Sequence, residues 1–233
     1  MKKIFGTAAI LAAGFAQAAV AGEVTGGALG YSYSAFSDDS AGNVDKNALA
    51  GSVEYGFDRQ FAVQGDLSFM KFGATDFDGK AFTLHGIYHL DDFTSFGAFI
   101  TREDVESLGQ TSYGLEVGHE MGLMEVEGYI AHGEADDIDG NLFGISALYN
   151  ATESFSFGLG YDNLDVDSVD ASRVALVSEY AFDRVVISGE LGQADIEDLG
   201  SESYFELGAR MTFGANRGTT FGKRGFLEIL PGL

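Results

Sequence analysis

The chain contains no cysteine and no tryptophan, a single proline, and only 13 Lys and Arg against 36 Asp and Glu. Without cysteine, neither a disulfide framework nor a thiolate metal site can hold the fold. Stability must come from backbone pairing and side-chain packing. A formal charge of −23 leaves no basic patch of the kind that meets nucleic acid, and suits a surface that meets cations. Long apolar runs are also missing once the first residues are passed. No later stretch reaches 18 apolar residues, which excludes a transmembrane helix. A chain of this kind crosses a membrane only by closing a sheet, so that every backbone group is paired.

What is present begins with an export signal. Lys2 and Lys3 precede an apolar run from Ile4 to Phe15, and Ala16-Gln17-Ala18 or Ala19-Val20-Ala21 offers a small-residue cleavage site. Residues 1–21 therefore read as a secretory signal peptide, cleaved after 18 or 21. The remainder fits one large all-β domain. Its 33 glycines follow no G-X-Y period, so it is not collagen, and its 10 Tyr and 20 Phe argue against disorder.

Alternation of apolar and polar residues recurs in twelve segments, near 24–36, 47–57, 60–72, 81–90, 93–102, 111–121, 123–133, 141–150, 154–162, 172–182, 185–194 and 203–213. In one of them Phe155, Phe157, Leu159 and Tyr161 share a face opposite Ser156, Gly158, Gly160 and Asp162. About ten residues of this kind span the hydrocarbon as a tilted strand. The connections alternate too. Phe57 to Gln60, Leu90 to Asp92, Met121-Gly122, Asn150 to Glu153 and Phe182 to Arg184 are short. Ser37 to Lys46, Gly73 to Lys80, Glu103 to Gln110, Glu134 to Gly140, Asn163 to Ala171 and Asp195 to Glu202 are longer and polar. Short periplasmic turns and longer external loops mark transmembrane barrels. A soluble sandwich also alternates, but it explains neither the signal nor the two kinds of connection. The expectation is a closed antiparallel up-and-down transmembrane β-barrel over residues 22–213, with about 12 strands, 10 or 14 being the alternatives. Tyr31, Tyr33, Tyr55, Phe57, Tyr180 and Phe182, near strand ends, would form its interfacial girdles.

The closing segment carries a specific resemblance. Glu206-x-Gly208-x-x-Met211-x-Phe213 resembles the polar-x-Gly-x-x-apolar-x-aromatic signal by which outer-membrane barrels are recognised by the barrel assembly machinery. The whole mature chain is similar to small Gram-negative porin-like proteins of the alphaproteobacterial type. The resemblance implies a bacterial outer-membrane location, both termini in the periplasm, contact with outer-membrane lipid, and passage of small ions and solutes. It brings no catalytic or ligand motif. One departure stands out: twenty residues, 214–233, follow Phe213, and they hold Arg217, Lys223 and Arg224 against Glu228 alone. They read as a loose periplasmic extension, since termini are commonly loose, or as a plug folding into an acidic lumen.

Register sets which charges face inward. Glu54, Asp66, Glu116, Glu120, Glu125, Glu127, Glu179, Glu190 and Glu206 fall on the polar face, with Arg173 and Arg210 as its cations. Such a field concentrates cations and repels anions. Twelve strands lie between the filled eight-stranded barrel and the open sixteen-stranded porin. Small inward residues, among them Gly30, Ala48, Gly144, Gly158 and Gly160, favour a narrow water-filled pore. Loop acids such as Asp38, Asp39, Asp76, Asp136, Asp137, Asp139, Asp167 and Asp198 would hold Ca²⁺ or Mg²⁺ weakly, because Asp136-Asp-Ile-Asp-Gly140 lacks the full calcium-loop spacing. Enzymatic activity and a cofactor are not expected. His85, His89, His119 and His132 accompany no G-x-S-x-G or H-E-x-x-H motif, and His85 and His89 stand about 13 Å apart by strand rise, too far to share a metal. The sequence thus points to a cation-preferring diffusion channel, or else to a non-conducting barrel that presents acidic loops.

Overall fold

The computed structural model describes residues 22–37, 45–73, 78–106, 108–135, 138–166, 169–197, 200–215, 218–229 and 231. The signal peptide, Arg217 and the loop acids Asp38, Asp39, Asp76, Asp136, Asp137, Asp167 and Asp198 lie outside them.

Twelve strands follow one another along the chain: β1 (Glu23–Phe36), β2 (Asp45–Gly56), β3 (Phe61–Phe72), β4 (Asp78–His89), β5 (Thr94–Val105), β6 (Leu108–Met121), β7 (Met124–Ala135), β8 (Ile138–Asn150), β9 (Phe155–Val166), β10 (Val169–Phe182), β11 (Val185–Ile196) and β12 (Gly200–Phe213). Each pairs antiparallel with its sequence neighbours, and β1 closes the barrel on β12, with Gly27 opposite Phe213 and Phe36 opposite Tyr204. One short helix, α1 (Phe226–Ile229), follows. The expected fold class and strand number are those of the structure.

Two-residue periodicity decides which side meets what. Outward positions carry Leu115, Leu191, Leu207 and Phe182, which are 61%, 64%, 60% and 71% exposed. A continuous belt of this kind would be ruinous in water and is what a lipid-facing wall requires. Aromatic residues crowd its rim at the short-turn end, where Phe57, Phe61, Tyr88, Phe93, Phe155, Tyr180 and Phe182 are all exposed.

The short turns are built by side chains that satisfy the backbone. Asp58 Oδ1 accepts from the amides of Gln60 and Phe61 at 2.7 and 2.8 Å, and Asp91 Oδ1 from those of Phe93 and Thr94 at 2.9 and 2.7 Å. The Phe93 amide, aided by Thr94, holds the Asp91 carboxyl below its ordinary value. Gly122 and Asp183 take the left-handed conformation that two-residue hairpins need.

At the other end the strands run farther than the alternation indicates. β5 and β6 stay paired to Val105 and Leu108, β9 and β10 to Val166 and Val169, and β11 and β12 to Ile196 and Gly200. Segments read from the sequence as loops, such as Glu103 to Gln110, are therefore mostly strand. Alternating hydrophobicity marks the exposed apolar belt, whereas pairing continues past that belt wherever backbone partners remain.

Candidate functional site

Inward positions of the strands fall into two zones. Toward the short-turn end lies a cavity of about 1520 Å³. Glu54, Glu120, Glu125, Glu127, Glu179, Glu206 and Arg210 line it, together with Ser52, Ser156 and Ser188. Toward the long-loop end the inward residues are Met70, Phe72, Ala81, Phe99, Ala131, Leu142, Leu164 and Ala171, all buried. An empty aqueous lumen would not bury them. Residues 218–229 do.

The segment after Phe213 turns back into the barrel. Gly214 sits at φ 87°, a conformation L side chains rarely adopt, and packs on Gly26 of β1. Gly26 in turn has no room for a Cβ, which would overlap the Gly218 carbonyl. Beyond this narrow entrance the segment climbs the lumen. The Thr220 amide donates to Glu54 Oε2 at 2.7 Å, and Phe221 exchanges hydrogen bonds with the Gln64 side chain at 2.8 and 3.1 Å. The Phe221 ring stacks on His85 and packs on Ala62 and Ile87. Higher up, Phe226 and Ile229 join Phe99, Ala131, Leu142, Leu164 and Ala171 in one apolar cluster, while Leu227 packs against Ala48, Met70, Phe72 and Ala81. Burying each of these large side chains contributes about 2 kcal/mol toward seating the segment.

Polar contacts fix the register of the segment. Glu103 accepts from the amides of Phe226 and Leu227, both at 2.8 Å, and so satisfies two donors at the start of α1. Lys46 Nζ donates to the Leu227 carbonyl at 2.8 Å, and Ser68 Oγ to Glu228 at 2.6 Å. Lys223 pairs with Glu228 at 2.7 Å. Burial works to raise the Glu228 carboxyl, but Lys223 and Lys46 hold it below its ordinary value. Burial works likewise to lower the Lys223 ammonium, and Glu228 holds it above. Arg224 is 5% exposed, with Nε on Glu116 at 2.9 Å and Nη2 on Glu127. Its guanidinium lies over the Tyr129 ring, 4.4 Å from the centroid.

The remaining charges read as inward from the sequence brace the wall. Asp66 and Glu116 hold the two ring nitrogens of His85, each at 2.7 Å. Arg173 bridges Asp162 at 2.7 Å and Glu190 at 3.6 Å, and Glu190 accepts from the Tyr204 hydroxyl. Arg210 makes two parallel bonds to Glu179, both at 2.7 Å. Asn150 donates to Glu125 at 2.7 Å. Glu120 and Glu206 border the cavity. The closing-strand residues divide by face: Glu206 and Gly208 line the cavity, Met211 is exposed, and the Phe213 ring covers Gly27.

Sequence reasoning missed Glu103, placed in a loop, and Arg224 as the partner of Glu116 and Glu127. The signal for both lay in the inward apolar positions. Phe72, Phe99, Leu142 and Leu164 interrupt the polar face, and a segment carrying Phe221, Phe226, Leu227 and Ile229 complements them. Gly144, read as leaving space for water, leaves it for a side chain, since a Cβ there would collide with the Tyr129 ring, whereas Gly160 borders open space. The other histidines meet Ser95, Thr94 and Asn141 at 2.8, 3.0 and 3.1 Å. Among the described residues no group of His, Asp and Glu is arranged to hold a metal ion.

In fold, the chain is a porin-like closed β-barrel. It is similar to the KdgM porin (TM-score 0.62, 11% identity, covering 80% of this chain and 99% of that one). The NanC porin gives 0.61, 10%, 79% and 98%, and the COG4313 outer membrane channel from Pseudomonas putida F1 gives 0.59, 12%, 82% and 95%. No protein-family model and no curated sequence matches this chain.

Proposed function

We propose that the protein is an outer-membrane channel for passive diffusion of ions and small polar solutes, preferring cations. The observation that carries this reading is the acid-lined cavity of about 1520 Å³ inside a barrel of porin fold. Glu54, Glu120, Glu125, Glu127, Glu179 and Glu206 face it against Arg59, Arg210 and Lys223, and low-dielectric walls focus such a field onto entering cations. Lipid covers the apolar belt, the short-turn end faces the periplasm, and the closing strand through Glu206, Gly208, Met211 and Phe213 is the mark read by the barrel assembly machinery. No enzymatic role is assigned.

Planar-bilayer recording of the refolded mature protein in a salt gradient tests the proposal. Channels with a reversal potential on the cation side are expected. Silence, or anion preference, would overturn it. The filled long-loop half favours a second reading, a non-conducting barrel that stabilises the envelope. That reading predicts silence both with the segment 214–233 present and with it removed.

A further inference from the structure

We infer that the seat of Arg224 is a lumen binding site for small guanidinium-bearing solutes, and that the C-terminal segment occupies it as a tethered stand-in for them. The seat has the components a planar cation requires. Carboxylates from two adjacent strands, Glu116 of β6 and Glu127 of β7, meet Nε and Nη2. Aromatic rings cover the face of the group, Tyr129 at 4.4 Å and Phe99 at 5.9 Å. Ring faces and in-plane acceptors together suit guanidinium better than ammonium, which is more strongly hydrated and has no plane to stack.

Glu116 and Tyr129 are held by the wall, while Glu127 is held from the segment, by Arg224 and by the Gly222 amide at 3.3 Å. The second oxygen of Glu116 is fixed by His85 at 2.7 Å, and His85 is fixed in turn by Asp66. The Tyr129 hydroxyl donates to Asp162 at 2.9 Å, and Asp162 is clamped by Arg173. Loss of the Arg224 guanidinium from a seated segment therefore leaves both rings, the His85-bound Glu116 and the Gly222-bound Glu127 in place, with buried negative charge that a cation must neutralise. The seat also adjoins a route. Glu127 lines the cavity that opens toward the short-turn end, and the carboxylates along that cavity gather cations at its approach. The segment itself is joined to the barrel only through Phe213, so its departure breaks no strand pair. As a statement about a transported solute this inference rests on the channel reading; as a binding site it stands without it.

The test uses the full mature chain carrying Arg224→Ala, with ethylguanidinium and propylammonium as probes of equal charge and similar size. Calorimetric titration in detergent is expected to show ethylguanidinium binding about tenfold tighter, with the preference lost when Glu116→Gln is added. Equal binding of the two probes, binding of neither, or indifference to Glu116→Gln would overturn the site. The unmodified protein supplies a readout that needs no variant to fold. Ethylguanidinium should hasten hydrogen exchange of residues 218–229 more than propylammonium at the same ionic strength, and equal effects count against the site. Bilayer recording of the Arg224→Ala protein separates the two claims. Selective binding without current keeps the site and removes the channel. Current without selective binding keeps the channel and removes the site.

Discussion

At the short-turn end of the lumen the inward positions are Glu120, Glu125, Glu179, Glu206 and Arg210, all bordering open space, while at the long-loop end they are Met70, Phe72, Phe99, Leu142 and Leu164, all buried. The two sets come from different strands of one closed sheet, with the same alternation and hydrogen-bond ladder. What differs is the company each end keeps. Charges at the short-turn end have water and neighbouring side chains; apolar residues at the long-loop end have Phe226, Leu227 and Ile229 of the returning segment. Barrel closure alone therefore does not decide whether a lumen of this size is wet. A second element decides it, and here that element lies within the last twenty residues of the sequence.

Removing residues 214–233 should abolish the contrast and gives the largest expected effect. Single-channel conductance should rise several-fold as the long-loop half fills with water, and unchanged conductance would mean that the segment does not occlude the lumen. Phe226→Ala weakens the contrast without removing it. Truncating a buried Phe costs about 3–5 kcal/mol, here charged to seating the segment, so amide exchange in residues 218–229 should accelerate at least about a hundredfold while the melting of the barrel moves little.

Acid should act in the same direction and more gently. The Glu228 carboxyl lies below its ordinary value of 4.5 when the segment is seated, so the seated form binds fewer protons than the free one. Its contribution is complete above about pH 4.5 and fades as pH falls through the seated value. Lower protection factors for the segment at pH 3 than at pH 7, after correction for the intrinsic pH dependence of amide exchange, are expected, with a flatter profile in Glu228→Gln. The smallest effect belongs to the wet half. The Arg210–Glu179 pair is partly exposed, so Arg210→Ala should cost less than about 1 kcal/mol of stability. It should nonetheless shift the reversal potential further toward cations, because one of the cations lining the cavity is gone.

The strand number was legible because apolar residues recur at every second position of each strand. The pattern ends with the exposed apolar belt, which is why Glu103 looked like a loop residue although β5 continues through it to Val105. The seat of Arg224 was legible only in part. Register places Glu116 and Glu127 on one face of adjacent strands, but no local pattern says that an arginine about a hundred residues later will lie between them. Nor does alternation distinguish an inward Leu142 that fills a lumen from one that strays into it. That distinction depends on shape complementarity between distant parts of the chain, which periodicity does not encode.

The turn at Gly214 rests on Gly26, and these two residues flank the β1–β12 joint, the seam that joins the first strand to the last. The entrance of the segment is therefore tied to the one pairing that makes the sheet a ring. A substitution that forced Gly26 and Gly214 apart would disturb the path into the lumen and the closure of the wall together.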